Sequence, residues 1–239
     1  MRVNPNITES NGKTRIYPIN HTLAPDELAD LAEREHVSVE HLVDAIARGT
    51  IIVPRNRHRK PIRPVAIGAG MSTKINANLG TSALASDVKE ELHKLHVAQL
   101  MGADTVMDLS TGGDLYAIRQ EILDASRLPV GTVPVYETGH RMLGRKGGFT
   151  AAPASLFLEV VQEQAEQGVD YMTIHCGVTR KSMEVFERTS RITGIVSRGG
   201  AMMMSWMQAN NAENPYYEHF DELTDILAEH AVTYSLGDG

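Results

Sequence analysis

The hydrophobic pattern divides the chain into three stretches. Residues 1–24 are polar, with the turn signals Asn-Pro-Asn and Asn-Gly-Lys, and predict a flexible arm. In "APDELADLAEREHVSVEHLVDAIARGT", Leu28, Leu31 and Ala32, then Val39, Leu42, Val43 and Ile46, recur at helical spacing, so two short helices are expected. Ser38 suits the N-cap of the second, with His41 at the capping-box position, and Gly49 suits its end. From about residue 62, short β-branched runs alternate with longer amphipathic ones. The runs predict strands at 73–79, 104–109, 130–136, 170–175, 192–196 and 231–236, and helices at 86–101, 114–126, 153–167, 179–189 and 214–230. Val88, Leu92, Leu95 and Ala98 mark the apolar face of the first of these helices, which Leu100 fits less cleanly. "QLMGAD" at 99–104 and "EQGVD" at 166–170 each close a helix with Gly and enter a strand through Asp.

Alternating strand and helix is the pattern of a parallel α/β sheet with right-handed crossovers. A doubly wound sheet and a β/α barrel share it. Polar residues at the ends of successive predicted strands (Asn78, Asp108, Tyr136, His175, Ser197 with Arg198, and Asp238) favour the barrel, whose strand ends meet at one mouth. A dinucleotide fold would gather its polar groups in a Gly-rich turn after the first strand. "IGAGMS" at 67–72 lacks the third glycine and the later acidic residue, and reads as a loop glycine pair. Six strands are expected where a closed barrel has eight, and the chain stops where a sixth strand-to-helix loop would begin. The domains expected are an N-terminal arm and helical region at 1–60 and a partial barrel carrying the site at 61–239.

The length of 239 residues and an apolar share of 42% support a sizeable core, and the net charge of −7 argues against a nucleic-acid surface. The one basic run, "RNRHRKPIR" at 55–63, reads as a solvated loop. A single cysteine, Cys176, excludes an internal disulfide. No signal-like or membrane-spanning run appears. A cytoplasmic protein without membrane or nucleic-acid partners follows.

Asn76 and Asn78 alternate along one strand and share a face, where paired amides suit a ring nitrogen or a sugar hydroxyl. Loop capping is the rival reading. Asp108, Ser110 and Thr111 open a glycine-rich turn leading to a helix at Asp114. That turn suits an anion or ordinary capping. His175 ends a strand, where it can bind metal, move a proton or bond a phosphate, or be structural. Cys176 points to the opposite side, toward helices. "SRGG" at 197–200 pairs the planar fork of Arg198 with glycines that free the backbone, an anion cradle rather than surface filler. "AMMMSWM" at 201–207 opens a buried helix. Lys74 opens its strand and is no Schiff-base lysine.

"KINANLGTS", "GADTVMDLSTGGDL", "PVGTVPVYE", "GVDYMTIHCGVTR", "TGIVSRGG", "ENPYYEHFDEL" and "VTYSLGDG" resemble, in order, the ThiC family of phosphomethylpyrimidine synthases. The resemblance covers residues 26–239 and the front half to two-thirds of a usual member. It implies a (β/α)8 TIM barrel, of which about six βα units are expected here after a small helical N-terminal region. It implies a homodimeric lyase of thiamine biosynthesis. That enzyme uses S-adenosylmethionine and a [4Fe–4S] cluster to form a 5′-deoxyadenosyl radical, which rearranges 5-aminoimidazole ribotide into hydroxymethylpyrimidine phosphate. A divalent metal, zinc or iron, is also implied. The family's substrate contacts carry over to Asn78, Met107, Tyr136 and His175, to Ser197, Arg198 and Gly199, and to Asp238 and Gly239, which begin its next motif. Its metal-binding histidines and three-cysteine cluster motif have no counterpart up to Gly239, so a fragment without turnover on its own is expected, with open sheet edges prone to association.

The N-terminal part departs from the family. "RIYPINHTL" and "PRNRHR" replace its usual segments, which raises a paralogue that is similar to ThiC. This is the 5-hydroxybenzimidazole synthases, which make the cobalamin lower-ligand precursor from the same ribotide. Two further readings are a non-catalytic ribotide-binding fragment and a phosphosugar lyase or isomerase with His175 as proton carrier.

Overall fold

The computed structural model describes residues 6–10, 13–17, 23–59, 62–84 and 87–237. In chain order it contains β1 (Asn6–Ser10), β2 (Lys13–Tyr17), α1 (Pro25–Arg34), α2 (Val39–Ala47), β3 (Ile51–Ile52), β4 (Ile67–Gly68), β5 (Asn76–Leu79), α3 (Val88–Leu100), β6 (Thr105–Asp108), α4 (Leu115–Ala125), β7 (Val130–Thr132) and α5 (Pro134–Arg141). A 3-10 turn at Gly148–Ala151 follows, then α6 (Ala154–Gln167), β8 (Tyr171–Ile174), α7 (Arg180–Glu187), α8 (Arg198–Asn210), α9 (Pro215–Glu218), α10 (Phe220–His230) and β9 (Thr233–Leu236).

Local chemistry sets most of these limits. Ser38 caps α2 by accepting the His41 N–H at 3.1 Å, and Gly49 follows that helix in the left-handed region, φ 71°. Gly168 ends α6 at φ 106°, a conformation that costs other residues about 1 kcal/mol or more. Val88, Leu92, Leu95 and Ala98 face the core while Leu100 is exposed, as the spacing predicts.

β5 to β9 form one parallel sheet in which each strand pairs with its neighbour in sequence. The protein is therefore α/β. A doubly wound sheet reverses its strand order at a switch point, and this sheet does not. One face is apolar and covered by helices: Ala77, Leu79, Val106, Val130, Met172 and Ile174 join a core with Phe157, Met203, Trp206 and Tyr216. Phe157 meets Trp206 and Tyr216 edge-to-face at 5.6 and 5.4 Å, contacts worth ~1 kcal/mol each beyond their burial. Trp206, Met203 and Met207 bury the methionine-rich helix as expected. The other face carries Asn76, Asn78, Thr105, Met107, Gly131, Tyr171, Thr173 and Ser235, aligned by register. A smaller core gathers Leu23, Leu31, Leu42, Ile51, Val53 and Ala66.

Four expectations fail. No strand forms at 192–196. That run is short, is broken by Gly194 at φ 63° and leaves Ile192 fully exposed. β9 takes its place beside β8 instead, so the parallel sheet has five strands rather than six. The strand at 130–136 ends at Thr132, because Pro134 fits the first position of a helix and cannot continue a strand ladder. The N-terminal arm contains a hairpin: β1 and β2 pair antiparallel with Ile7 opposite Ile16. The basic run is not wholly solvated. The Arg59 side chain is buried at 3.1 Å from Asp170, and Arg55 pairs with Glu27 at 2.7 Å. No helix among the described residues is long and apolar enough to cross a membrane.

Candidate active site

At the C-terminal ends of the strands, His175 follows β8 and is buried. Ser197 caps α8, its hydroxyl accepting the Gly200 N–H at 3.1 Å while lying 3.1 Å from His175 Nε2. Gly199 is obligatory beside it. A Cβ there would stand 2.2 Å from His175 Cε1, closer than any real contact. Gly237 flanks the same ring, where a Cβ would be 3.0 Å away. The imidazole is thus held between two glycine backbones and one hydroxyl.

Arg198 opens α8 and is exposed, with its guanidinium 4.7 Å from the centre of the Tyr136 ring. This cation–π contact orients the fork without using its N–H donors. No other residue among those described forms an ion pair with Arg198. Its charge stands at the N-terminus of a 13-residue helix, where free backbone N–H groups and the helix dipole already favour an anion.

Tyr136 reaches this place from the first turn of α5 rather than from a strand end. The next residue, Glu137, anchors that helix. It takes Arg119 Nη1 at 2.6 Å, Arg141 Nη2 at 2.5 Å and Gln164 Nε2 at 2.7 Å. Burial pushes its carboxyl up, but the two guanidiniums and the amide outweigh burial and hold it below the usual carboxylate range. Buried Asn214 locks the turn after His175, donating to the His175 and Val178 carbonyls at 2.7 and 2.8 Å.

The chain matches the model of the Radical SAM ThiC family over residues 14–239. The chain belongs to this family. It is 50% identical over 215 residues to a phosphomethylpyrimidine synthase of Thermus thermophilus, covering 90% of this chain and 49% of that protein. It is 44% identical over 226 residues to the one of Methanocaldococcus jannaschii, covering 95% and 53%. It is 43% identical over 226 residues to one of Dehalococcoides mccartyi, covering 95% and 52%. The chain spans about half the length of the curated relatives it matches.

Of the residues named from the ThiC resemblance, Tyr136, His175, Ser197, Arg198 and Gly199 come together through the contacts above. Asn78 and Met107 are register partners on β5 and β6. Asn78 is exposed on the polar face, and Met107 Sδ lies 4.0 Å from the Thr173 hydroxyl of β8. Asp238 and Gly239 lie outside the described residues. Asp108 does not join this group. It stands in the row of Leu79 and Thr132 on the helix-covered face and accepts the Ser110 N–H at 2.9 Å. Burial raises its pKa. The turn at 108–114 is capping, with Asp114 accepting the Ala117 N–H at 3.1 Å. Cys176 packs against the helix-side core, and burial pushes its thiol up, so it is a poor nucleophile. Lys74 pairs with Glu35 at 2.9 Å.

Sequence reasoning missed Glu137, Asn214, Tyr171 and Gly131. Only Gly131 carried a local signal, since glycine inside a strand marks a close approach.

Proposed function

We propose that this chain is the ribotide-holding part of a phosphomethylpyrimidine synthase, working on 5-aminoimidazole ribotide in thiamine biosynthesis. The observation that carries this reading is the joining of Arg198, Tyr136, Ser197, Gly199 and His175 at one point where the strands of the sheet end. Arg198 takes the phosphate through paired N–H donors, helped by the α8 N-terminus. His175 and Ser197 offer a ring nitrogen and a hydroxyl to phosphate or ribose oxygens. Asn78 and Met107 line the polar face toward the imidazole. Five parallel strands in chain order suit an arc of a (β/α)8 barrel, and homodimerisation and a cytoplasmic location belong to the same reading. The pyrimidine branch is preferred to the benzimidazole branch because the similar relatives carry the pyrimidine enzyme's name.

Radical chemistry of this family requires S-adenosylmethionine at a [4Fe–4S] cluster, which supplies a 5′-deoxyadenosyl radical. The residues of this chain do not fit the cluster. Three thiolates are needed, and the chain has one cysteine, packed toward the helices. Among the described residues no cluster of His, Cys, Asp or Glu suits a metal ion such as zinc or iron. The role of these residues is binding and orientation.

Calorimetric titration with 5-aminoimidazole ribotide tests the reading. Arg198→Ala removes a charge-assisted contact worth about 1.5–3 kcal/mol, so affinity falls roughly 10- to 100-fold. Because the side chain is exposed, thermal stability stays within about 0.5 kcal/mol of the parent. Unchanged affinity overturns the phosphate role.

A further inference from the structure

The polar face of the sheet contains a cross-strand brace. Gly131 of β7 lies between Met107 of β6 and Tyr171 of β8 in one register row. The Tyr171 ring lies over Gly131, where a Cβ would stand 2.2 Å from the ring atoms Cε2 and Cζ. A rigid ring cannot yield there as a flexible chain end would. The ring therefore crosses β7 because position 131 is glycine. Beyond it the Tyr171 hydroxyl lies 2.8 Å from Asn76 Oδ1 on β5 and 2.8 Å from the Val106 carbonyl oxygen on β6. Burial pushes the phenol up to about 12, so its single proton is present at neutral pH and is shared by both acceptors. The Thr105 hydroxyl donates to the same Asn76 Oδ1 at 3.0 Å.

These contacts fix which way the Asn76 amide faces. With Oδ1 held by two hydroxyls, its Nδ2 donates to Asn78 Oδ1 at 2.9 Å. The Asn78 oxygen is then turned toward a neighbour, and its exposed Nδ2 has no hydrogen-bond partner among the described residues.

We propose that Gly131, Tyr171, Thr105 and Asn76 are positioning residues that hold the Asn78 carboxamide with its N–H donors turned outward. The site then selects a ligand offering a hydrogen-bond acceptor, such as a bare ring nitrogen, at that spot. The inference rests on the ribotide reading for the identity of the ligand, though not for the brace itself. It explains why two asparagines alternate here: one faces the ligand and the other sets its polarity. It also assigns Tyr171 a task that a phenylalanine, with the same ring, cannot perform.

The experiment uses the protein with Tyr171→Phe, which keeps the ring and loses the hydroxyl, and Gly131→Ala, which displaces the ring. Side-chain amide resonances are followed by NMR with 15N-asparagine, assigned through Asn76→Asp and Asn78→Asp. In the parent, Asn78 gives one sharp pair, and in both variants that pair shifts or broadens. Calorimetry then compares 5-aminoimidazole ribotide with ribose 5-phosphate, which lacks the heterocycle. Tyr171→Phe weakens the ribotide about three- to tenfold, the worth of one neutral hydrogen bond, and leaves ribose 5-phosphate unchanged, whereas Arg198→Ala weakens both.

An Asn78 signal unmoved in Tyr171→Phe overturns the brace. So does a ribotide loss matched by an equal loss for ribose 5-phosphate. A parent that binds neither compound sinks the ribotide reading instead, and the resonances still decide the brace.

Discussion

Asp170 stands just before β8 and His175 just after it, both buried, yet they are held in opposite ways. Asp170 is enclosed by donors from the protein itself: the Asn56 N–H at 2.9 Å, the Val130 N–H at 2.8 Å and Arg59 Nε at 3.1 Å. Arg59 spends its remaining N–H groups on the carbonyls of Leu123, Ser126 and Leu128. These buried groups satisfy one another. At the other end, His175 is wedged between glycines beside a helix N-terminus, and the Arg198 guanidinium of that helix rests on the Tyr136 ring. The entry end closes its own hydrogen bonds and the exit end leaves donors for a ligand. In β/α barrels such a difference between the two strand ends separates stability from binding.

The largest expected effect tests the entry end. Asp170→Ala strands the buried Arg59 charge and two N–H groups, at a cost of about 3–5 kcal/mol. The ion pair itself is not a large net gain. Burial pushes Asp170 up to about 6, against Arg59 and the backbone donors. With the folded pKa above the unfolded one, its stabilising share is whole below about pH 4 and is lost as the pH rises through about 6. The penalty comes from breaking the pair, not from lacking it. Chemical denaturation at neutral pH measures this, and a variant as stable as the parent would erase the contrast between the ends.

The middle effect tests the exit end. In Gly199→Ala the new methyl must move the His175 ring or the start of α8. Overpacking of this kind costs about 1–3 kcal/mol of stability. Ribotide affinity falls further than that, because His175, Ser197 and Arg198 all shift together. Thermal unfolding and titration on the same sample separate the two. A variant that loses stability but binds normally would show that the glycine serves packing alone.

The contrast was only partly legible in the sequence. Periodicity located the helices and most strands because each depends on near neighbours: Ser38 with His41, Gly168 closing α6, Leu95 turned inward. It failed where a tertiary partner decides. Residues 192–196 have the composition of a strand but no neighbour to pair with, since β9 occupies that edge of β8. Tyr136 looked like a strand end until Pro134 turned the chain into a helix. The Asn-Gly pair between β1 and β2 is a strong hairpin signal that overall polarity masked. Asp108 shares its type with site residues, and only its register row shows that it faces the helices. Arg198, Gly199 and His175 stood out because each follows an apolar run and sits near glycine, and the structure brings Gly199 against the His175 ring. Asn76 and Tyr171 meet across two intervening strands, a contact that no local pattern encodes.

The smallest effect links the two ends through α5. Glu137 is held in its charged form by Arg119, Arg141 and Gln164 against the pull of burial. Its folded pKa lies below the unfolded one. The stability it lends is therefore present above about pH 4.5, the ordinary carboxylate value, and is lost as the pH falls through the lower folded pKa. Because Glu137 follows Tyr136 directly, protonation also loosens the helix that sets the aromatic ring under Arg198. Glu137→Gln keeps the shape but removes the titration. The acid limb of the stability profile should flatten in this variant while the neutral region drops modestly, by less than Asp170→Ala costs. Tyr136 fluorescence cannot be isolated among seven tyrosines, so the readout is denaturant midpoint against pH, with 13C-labelled Tyr136 ring resonances reporting the stacking. An acid limb identical in parent and variant would place the anchor of α5 elsewhere, and would leave the Tyr136–Arg198 contact dependent on core packing rather than on charge.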